Sequence, residues 1–138
     1  MPDVFDRQKR SEIMRKIGPK DSAPEMRVRS IVHRLGYRFR LHGRDLPGTP
    51  DIVLPGHRKV IFMHSCFFHG HRDCPRATIP ATRSGFWEVK IEGNARRDRA
   101  SRRRLRRLAW ECLVIWQCEI RKGTEERLRA KIRRFLEG

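Results

Sequence analysis

The sequence is poor in acid. Its 138 residues carry 16 Asp and Glu against 33 Lys and Arg, which leaves a formal net charge of +17 and a pI near 11.3. That imbalance argues against a metal-storage or zinc-chaperone role, because cation handling gains nothing from so positive a chain. Long apolar runs are also missing. No segment approaches the ~20 residues that span a bilayer, and Met1–Arg7 has no apolar core of the kind a secretory signal needs. The expected location is the cytosol, on the nucleoid when DNA is bound, with no membrane partner. A reducing compartment disfavours disulfides among the four Cys. No internal repeat or low-complexity linker marks a boundary, so residues 1–138 are expected to form a single domain around one core. No long exposed apolar stripe calls for a second subunit, and a monomer is expected.

Positive charge is what the chain has in quantity. Nucleic acid is the expected partner, because Lys and Arg gain affinity by displacing counterions from phosphates. A ribosomal-type structural protein and a merely soluble basic surface stand beside that reading. The charge is concentrated, since eight of the twelve positions 96–107 are Arg. A charge run is usually a solvated face, but one this dense and single-signed repels itself, which favours a phosphate partner.

The order of elements predicts an α/β fold, a small mixed β-sheet flanked by helices. A basic stretch over residues 1–20, with a helical pattern from Arg7 to Ile17, reads as a DNA-contacting N-terminal arm or as a small docked helix. Ser22 and Pro24 open the next helix, Val28, Ile31, Val32 and Leu35 line it, and Gly36 stops it. Tyr37–Leu41 alternates like a half-buried strand. Leu46-Pro47-Gly48-Thr49-Pro50 is a turn, and Asp51–Pro55 and Lys59–Met63 are two strands, most simply antiparallel. A long helix is expected over Ser84–Ala109, with Gly93 a weak point and Leu105 and Leu108 its narrow apolar side. Cys112–Trp116 is a buried strand. Thr124 caps a last helix whose core face is Leu128, Ile132, Phe135 and Leu136.

The chemistry gathers where the third strand ends. Val60 to Met63 is a continuous apolar run, and His64 to Cys74 then holds three His and two Cys within eleven residues. Asp51 opens a strand, where Asp is a poor former. It is either a turn closure or a Mg²⁺ ligand, since Mg²⁺ takes carboxylate, backbone oxygen, water and phosphate. Across the turn Asp51 comes near Met63 and His64. Glu25, in a first helical turn, on its own reads as complementing the helix dipole. Cys66-x4-His71-x2-Cys74 with a distant Cys118 is not a common finger spacing, yet four such ligands would make a closed, structural Zn²⁺ site. Cys112 is left over as a small buried hydrophobe or an alternative ligand.

Asp51, the turn and the strand ending in functional groups resemble the PD-(D/E)XK nuclease core, although Phe62-Met63-His64 lacks that core's acid-x-Lys. The departure fits one subgroup. The chain resembles the very-short-patch-repair DNA mismatch endonucleases over nearly its whole length. The motifs are Ser11-x-x-Met14-Arg15-x-Ile17, Glu25, Leu46-Pro47-Gly48-x-Pro50-Asp51 and Val60-Ile61-Phe62-x-His64-x-Cys66-Phe67-x-His69. They continue as Pro80-Ala81-Thr82-Arg83, Phe86-Trp87-x-x-Lys90-Ile91, Asn94-x-x-Arg97-Asp98 and Trp116-x-Cys118. The resemblance implies a restriction-endonuclease-like core with a structural zinc site. It implies a Mg²⁺-dependent endonuclease that nicks one strand of double-stranded DNA beside a T:G mismatch left by deamination of 5-methylcytosine, with repair proteins as further partners. By the same resemblance Asp51 and the main-chain carbonyl of Met63 hold Mg²⁺. His64 and His69 surround the water and the phosphate, with His69 the general base. Glu25 supports the site, and Asp98 stands behind it. Cys66, His71, Cys74 and Cys118 hold Zn²⁺, with one more residue between His71 and Cys74 than the family pattern has. Phe67, Phe68 and Trp87 form a wedge that enters the base stack, and Arg15, Lys90, Asn94 and Arg97 contact DNA. A nuclease of the same core with another target, and a non-catalytic zinc-stabilised DNA-binding module, remain the alternatives.

Overall fold

The computed structural model describes residues 23–121 and 123–138. The helix expected over Arg7–Ile17, the cap at Ser22 and the DNA contact expected of Arg15 lie outside the described residues.

Helix α1 (Ala23–Arg34) is followed by strands β1 (Arg40–Leu41), β2 (Ile52–Leu54) and β3 (Lys59–His64), then by helix α2 (Ser84–Arg107), strand β4 (Glu111–Trp116) and helix α3 (Glu125–Glu137). The strands form one sheet in the order β1-β2-β3-β4. The first two pairings are antiparallel. β3 and β4 run parallel, from Lys59 opposite Glu111 to His64 opposite Trp116, as they must when a long helix carries the chain from one to the other. The sheet is therefore mixed, as the element order predicts.

The period-two alternation of the strands sorts the core into two layers. Ile52, Leu54, Ile61 and Ile115 pack with Val28 and Val32 of α1 and with Leu128, Ile132 and Leu136 of α3. On the other face Val53, Val60 and Phe62 pack with Leu105 of α2, and Cys112 and Val114 lie against them. Each fully buried Leu or Ile contributes about 1.5–3 kcal/mol. Lys59 is the exception on the central strand, buried with its Nζ donating to the carbonyl oxygens of Phe135, Leu136 and Gly138 at 2.6, 3.1 and 3.2 Å. It holds the last turn of α3, where orphan carbonyls and the helix dipole welcome a cation.

Five expectations change. The strand expected over Tyr37–Leu41 shrinks to Arg40–Leu41, because three-residue β2 offers partners only at Ile52 and Val53. Tyr37 and Phe39 pack against the α1–α3 core instead. α2 stops at Arg107 rather than Ala109, which takes φ 67°. Leu108 is exposed, and the apolar side of α2 is Ile91 and Leu105, two positions separated by four turns of helix. Gly93 does not interrupt α2. Thr124 stands at the N-cap of α3, but its hydroxyl donates to the carbonyls of Glu119 and Arg121 at 2.9 and 2.7 Å, and its oxygen accepts no N–H of the helix. No described helix is long and apolar enough to cross a membrane.

Candidate active site

Asp51 sits just before β2, where the turn delivers it to the end of β3. Its main-chain N–H donates to the carbonyl of Ile61 at 3.1 Å, and its Oδ2 accepts the N–H of Met63 at 2.7 Å. Burial pushes the Asp51 carboxyl above its usual range, only partly offset by that hydrogen bond and by nearby His42, His69 and Arg29. A desolvated carboxylate with spare lone pairs suits a divalent cation better than it suits an empty interior. Glu25, 7% exposed, comes from the first turn of α1 and pairs with Arg29 at 3.3 Å. It lines a cavity of about 560 Å³ with Met63, His64, Ser65 and His69.

His64 ends β3 on the face towards α2, two residues beyond Phe62 in the same alternation. Its ring is stacked on that of His69, with centroids 4.0 Å apart and planes 3° from parallel. His69 reaches there from the loop Ser65–His71, whose amides close on themselves through His69 N–H to Ser65 O at 3.1 Å and His71 N–H to Cys66 O at 2.9 Å. Behind the pair, Nδ1 of His69 lies 2.6 Å from Oδ2 of Asp98 on α2. Burial alone would raise the Asp98 carboxyl, but the His69 hydrogen bond and the nearby positive charges outweigh it and hold it low. Asp98 is thus an ionised acceptor. That places the proton on Nδ1 and leaves Nε2 of His69 free to take another. Burial, and then His69 beside it, depress the His64 imidazole to about 4, so it is neutral near neutral pH.

His64, His69 and Asp98 have ligand atoms close enough for a metal. The ring geometry argues against one there. Imidazole lone pairs lie in the ring plane, and two parallel rings cannot both aim in-plane at one ion between them. The trio instead stacks the two rings, with Asp98 held against one of them.

A second cluster lies a few residues away. Cys66, His71, Cys74 and Cys118 bring one ligand atom each within 4.8 Å of one another. Sγ of Cys118 is 3.5 Å from Nδ1 of His71, close to the roughly 3.6 Å edge expected between S and N ligands of a tetrahedral Zn²⁺. The ligands come from both strand ends, and the N–H of Cys118 donates to Sγ of Cys66 at 3.4 Å. Burial pushes the Cys66 thiol up to about 11, so loading a metal there releases a proton. Between His71 and Cys74, Asp73 takes φ 55°, a conformation Asp tolerates. Cys112 lies apart, against the α2-side core.

The aromatics Phe67, Phe68 and Trp87 meet at the start of α2, with centroid distances of 5.1 Å for Phe67–Phe68 and 5.4 Å for Phe67–Trp87. Phe68 is 47% exposed. Nδ2 of Asn94 donates to the carbonyl of Phe68 at 2.9 Å, and Arg97 donates to Asn94. Asn94 therefore ties the loop to α2, while Lys90 and Arg97 are exposed. Three neighbours were given no role in the residue-by-residue reading. Phe86, also 47% exposed, extends the aromatic group against Trp87 at 5.1 Å, with the Arg83 guanidinium over its ring at 4.5 Å. Arg99 and Arg102 line a cavity of about 310 Å³ with His64, His69 and Asp98. Helical spacing from Asp98, at i+4, would have found Arg102.

A buried carboxylate, a histidine held by Asp98 and an arginine-rich helix, carried together on an α/β fold, are a set suited to phosphodiester hydrolysis. The family is then specific. Residues 2–76 match the family model described as DNA mismatch endonuclease Vsr. The chain is 41% identical over 141 residues to DNA mismatch endonuclease Vsr of Escherichia coli, covering 100% of this chain and 90% of that one. It is 42% identical over 137 residues to Type II nicking enzyme V.XorIIP of Xanthomonas oryzae pv. oryzae, with 99% and 98% covered. It is 36% identical over 135 residues to Type II nicking enzyme V.NmeAIP of Neisseria meningitidis serogroup A, with 96% of each covered. The chain belongs to the Vsr family of DNA mismatch endonucleases and is an endonuclease.

Proposed function

We propose that this protein nicks one strand of duplex DNA next to a T:G mismatch, with Mg²⁺ as catalytic cofactor and Zn²⁺ as a structural one, and so begins very short patch repair. It works as a single-domain monomer in the cytosol, on a core of the restriction-endonuclease kind. The observation that carries the reading is the 2.6 Å contact between His69 Nδ1 and Asp98, beside His64, with His69 near enough for its charge to act on Asp51.

Asp98 holds the His69 ring in one tautomer. Nε2 of His69 takes the proton of a water as its oxygen forms a bond to phosphorus, and the ester bond to the leaving sugar oxygen breaks. His64, neutral, places a second ring against the phosphate. Asp51 and the main-chain carbonyl of Met63 would hold Mg²⁺, with Glu25 supporting them. When bound, that cation supplies positive charge against what builds on the phosphate oxygens. Cys66, His71, Cys74 and Cys118 would hold Zn²⁺ and keep the loop that carries His69 in place. Phe67, Phe68 and Trp87 offer exposed ring surface that can enter a base stack. A mismatched pair is the cheapest to pry apart, which favours a mismatch over an intact target. Lys90 and Arg97, both exposed, would meet phosphates.

The test is a nicking assay with Mg²⁺ on matched T:G and T:A duplexes. Cutting of T:G alone is expected, and Asp51→Ala should abolish it while DNA binding persists. Equal cutting of the two duplexes removes the mismatch claim, and activity in Asp51→Ala removes Asp51 from the metal site.

A further inference from the structure

The parallel pair β3 and β4 ends on His64 opposite Trp116. Two residues beyond each lies a metal-ligand candidate, Cys66 on one chain segment and Cys118 on the other. Trp116 therefore stands between the two centres. One side of its indole is stacked on His71, with centroids 4.1 Å apart and planes 7° from parallel. The same indole meets His64 edge-on at 5.1 Å and 77°. From there the contacts continue through the His64–His69 stack to Asp98.

The state of His64 gives this weight. Among the described residues its buried Nδ1 has no hydrogen-bond partner. No hydrogen bond at that nitrogen sets the turn of its ring. Among the described residues, packing against the neighbouring rings of Phe62, His69 and Trp116 is what holds it. Of these, Trp116 alone also touches a candidate metal ligand.

We infer that Trp116 is a positioning residue that holds the His71 ring on its face and the His64 ring on its edge, and so ties the Cys/His centre to the catalytic histidines. The inference rests on the functional reading above. It differs from simple core filling, because a leucine replaces volume but offers no ring face.

The test uses the full chain loaded with one Zn²⁺. Trp116→Leu and Trp116→Phe are compared with wild type for the rate of zinc release to excess chelator. They are also compared for kcat and KM on the duplex that wild type cuts, with zinc saturating. Outer contacts that orient metal ligands are typically worth 10–100-fold. Trp116→Leu is expected to release zinc at least about tenfold faster and to lose roughly 10–100-fold in kcat, with KM within about threefold. Trp116→Phe should restore most of both. Wild-type behaviour of Trp116→Leu in either property overturns the inference, as does Trp116→Phe falling as far as Trp116→Leu. If Trp116→Leu does not fold, Trp116→Phe decides. Near-wild-type zinc hold and kcat sustain the inference, and a loss beyond tenfold in either overturns it. A wild type that holds no zinc, or cuts no DNA, instead sinks the functional reading. Zinc release needs no cutting and separates the two failures.

Discussion

In the proposed mechanism the histidine chemistry turns on Asp98. It sits among arginines in α2, and in sequence it looks like a counter-charge on a basic helix. Its 2.6 Å contact with His69 gives it another task. Replacing it with Asn keeps the shape and removes the charge that fixes the tautomer. Asp98→Asn is expected to lower kcat by on the order of 100-fold, the scale of general-base catalysis, while affinity for the duplex is unchanged. Single-turnover nicking and a binding titration check this, and a kcat within about threefold of wild type would remove Asp98 from the relay. Glu25 shows the limit of single-residue reading. An acid in a first helical turn is well explained by the dipole, and nothing local says that it faces Met63, His64 and His69 across a cavity.

At the scale of the element, the loop Ser65–His71 is the tightest constraint. His69 and His71 must point to different centres although one residue separates them. Gly70 between them makes this possible, at φ 63° and with no Cβ. A Cβ there would lie 2.9 Å from Cγ2 of Ile91 on α2. Gly70→Ala therefore meets both left-handed strain, about 1–2 kcal/mol, and a clash with the helix that carries Asp98. Loss of Tm and faster zinc release are expected together, and an unaltered melting curve would contradict the packing described. The same element explains why β3 could be read from sequence and the loop could not. Val60 to Met63 is apolar by composition, whereas the loop is positioned by contacts with α2, more than twenty residues later.

For the whole molecule, the net charge of +17 sets the behaviour towards DNA. Arg103, Arg104, Arg106 and Arg107 are exposed on α2, on the side left free by Ile91, Asp98 and Leu105, which face the sheet and the site. For a protein that neutralises six or more phosphates, affinity falls by about 10³ or more between 50 and 200 mM salt. That fall is expected here, with a shallower slope in a variant carrying Arg103→Gln and Arg107→Gln. Binding titrations across salt test it. A fall of less than tenfold would mean that most of this charge faces solvent only.

Composition and spacing by themselves determined the basic partner surface and most of the order of helices and strands, while the motifs pointed to the family and to candidate residues for metal binding and proton transfer. These are local or additive properties, legible wherever an apolar period or a charge count is. Only the tertiary structure decided which of those residues meet. His64 joins His69 and Asp98 because α2 crosses the face of β3 to which His64 points. Cys118 reaches Cys66 because β4 lies parallel to β3 with His64 opposite Trp116. Trp116, a strand residue by pattern, became a bridge between two centres for the same reason. Register and crossing geometry are set by the packing of the whole core, which no short stretch of sequence contains.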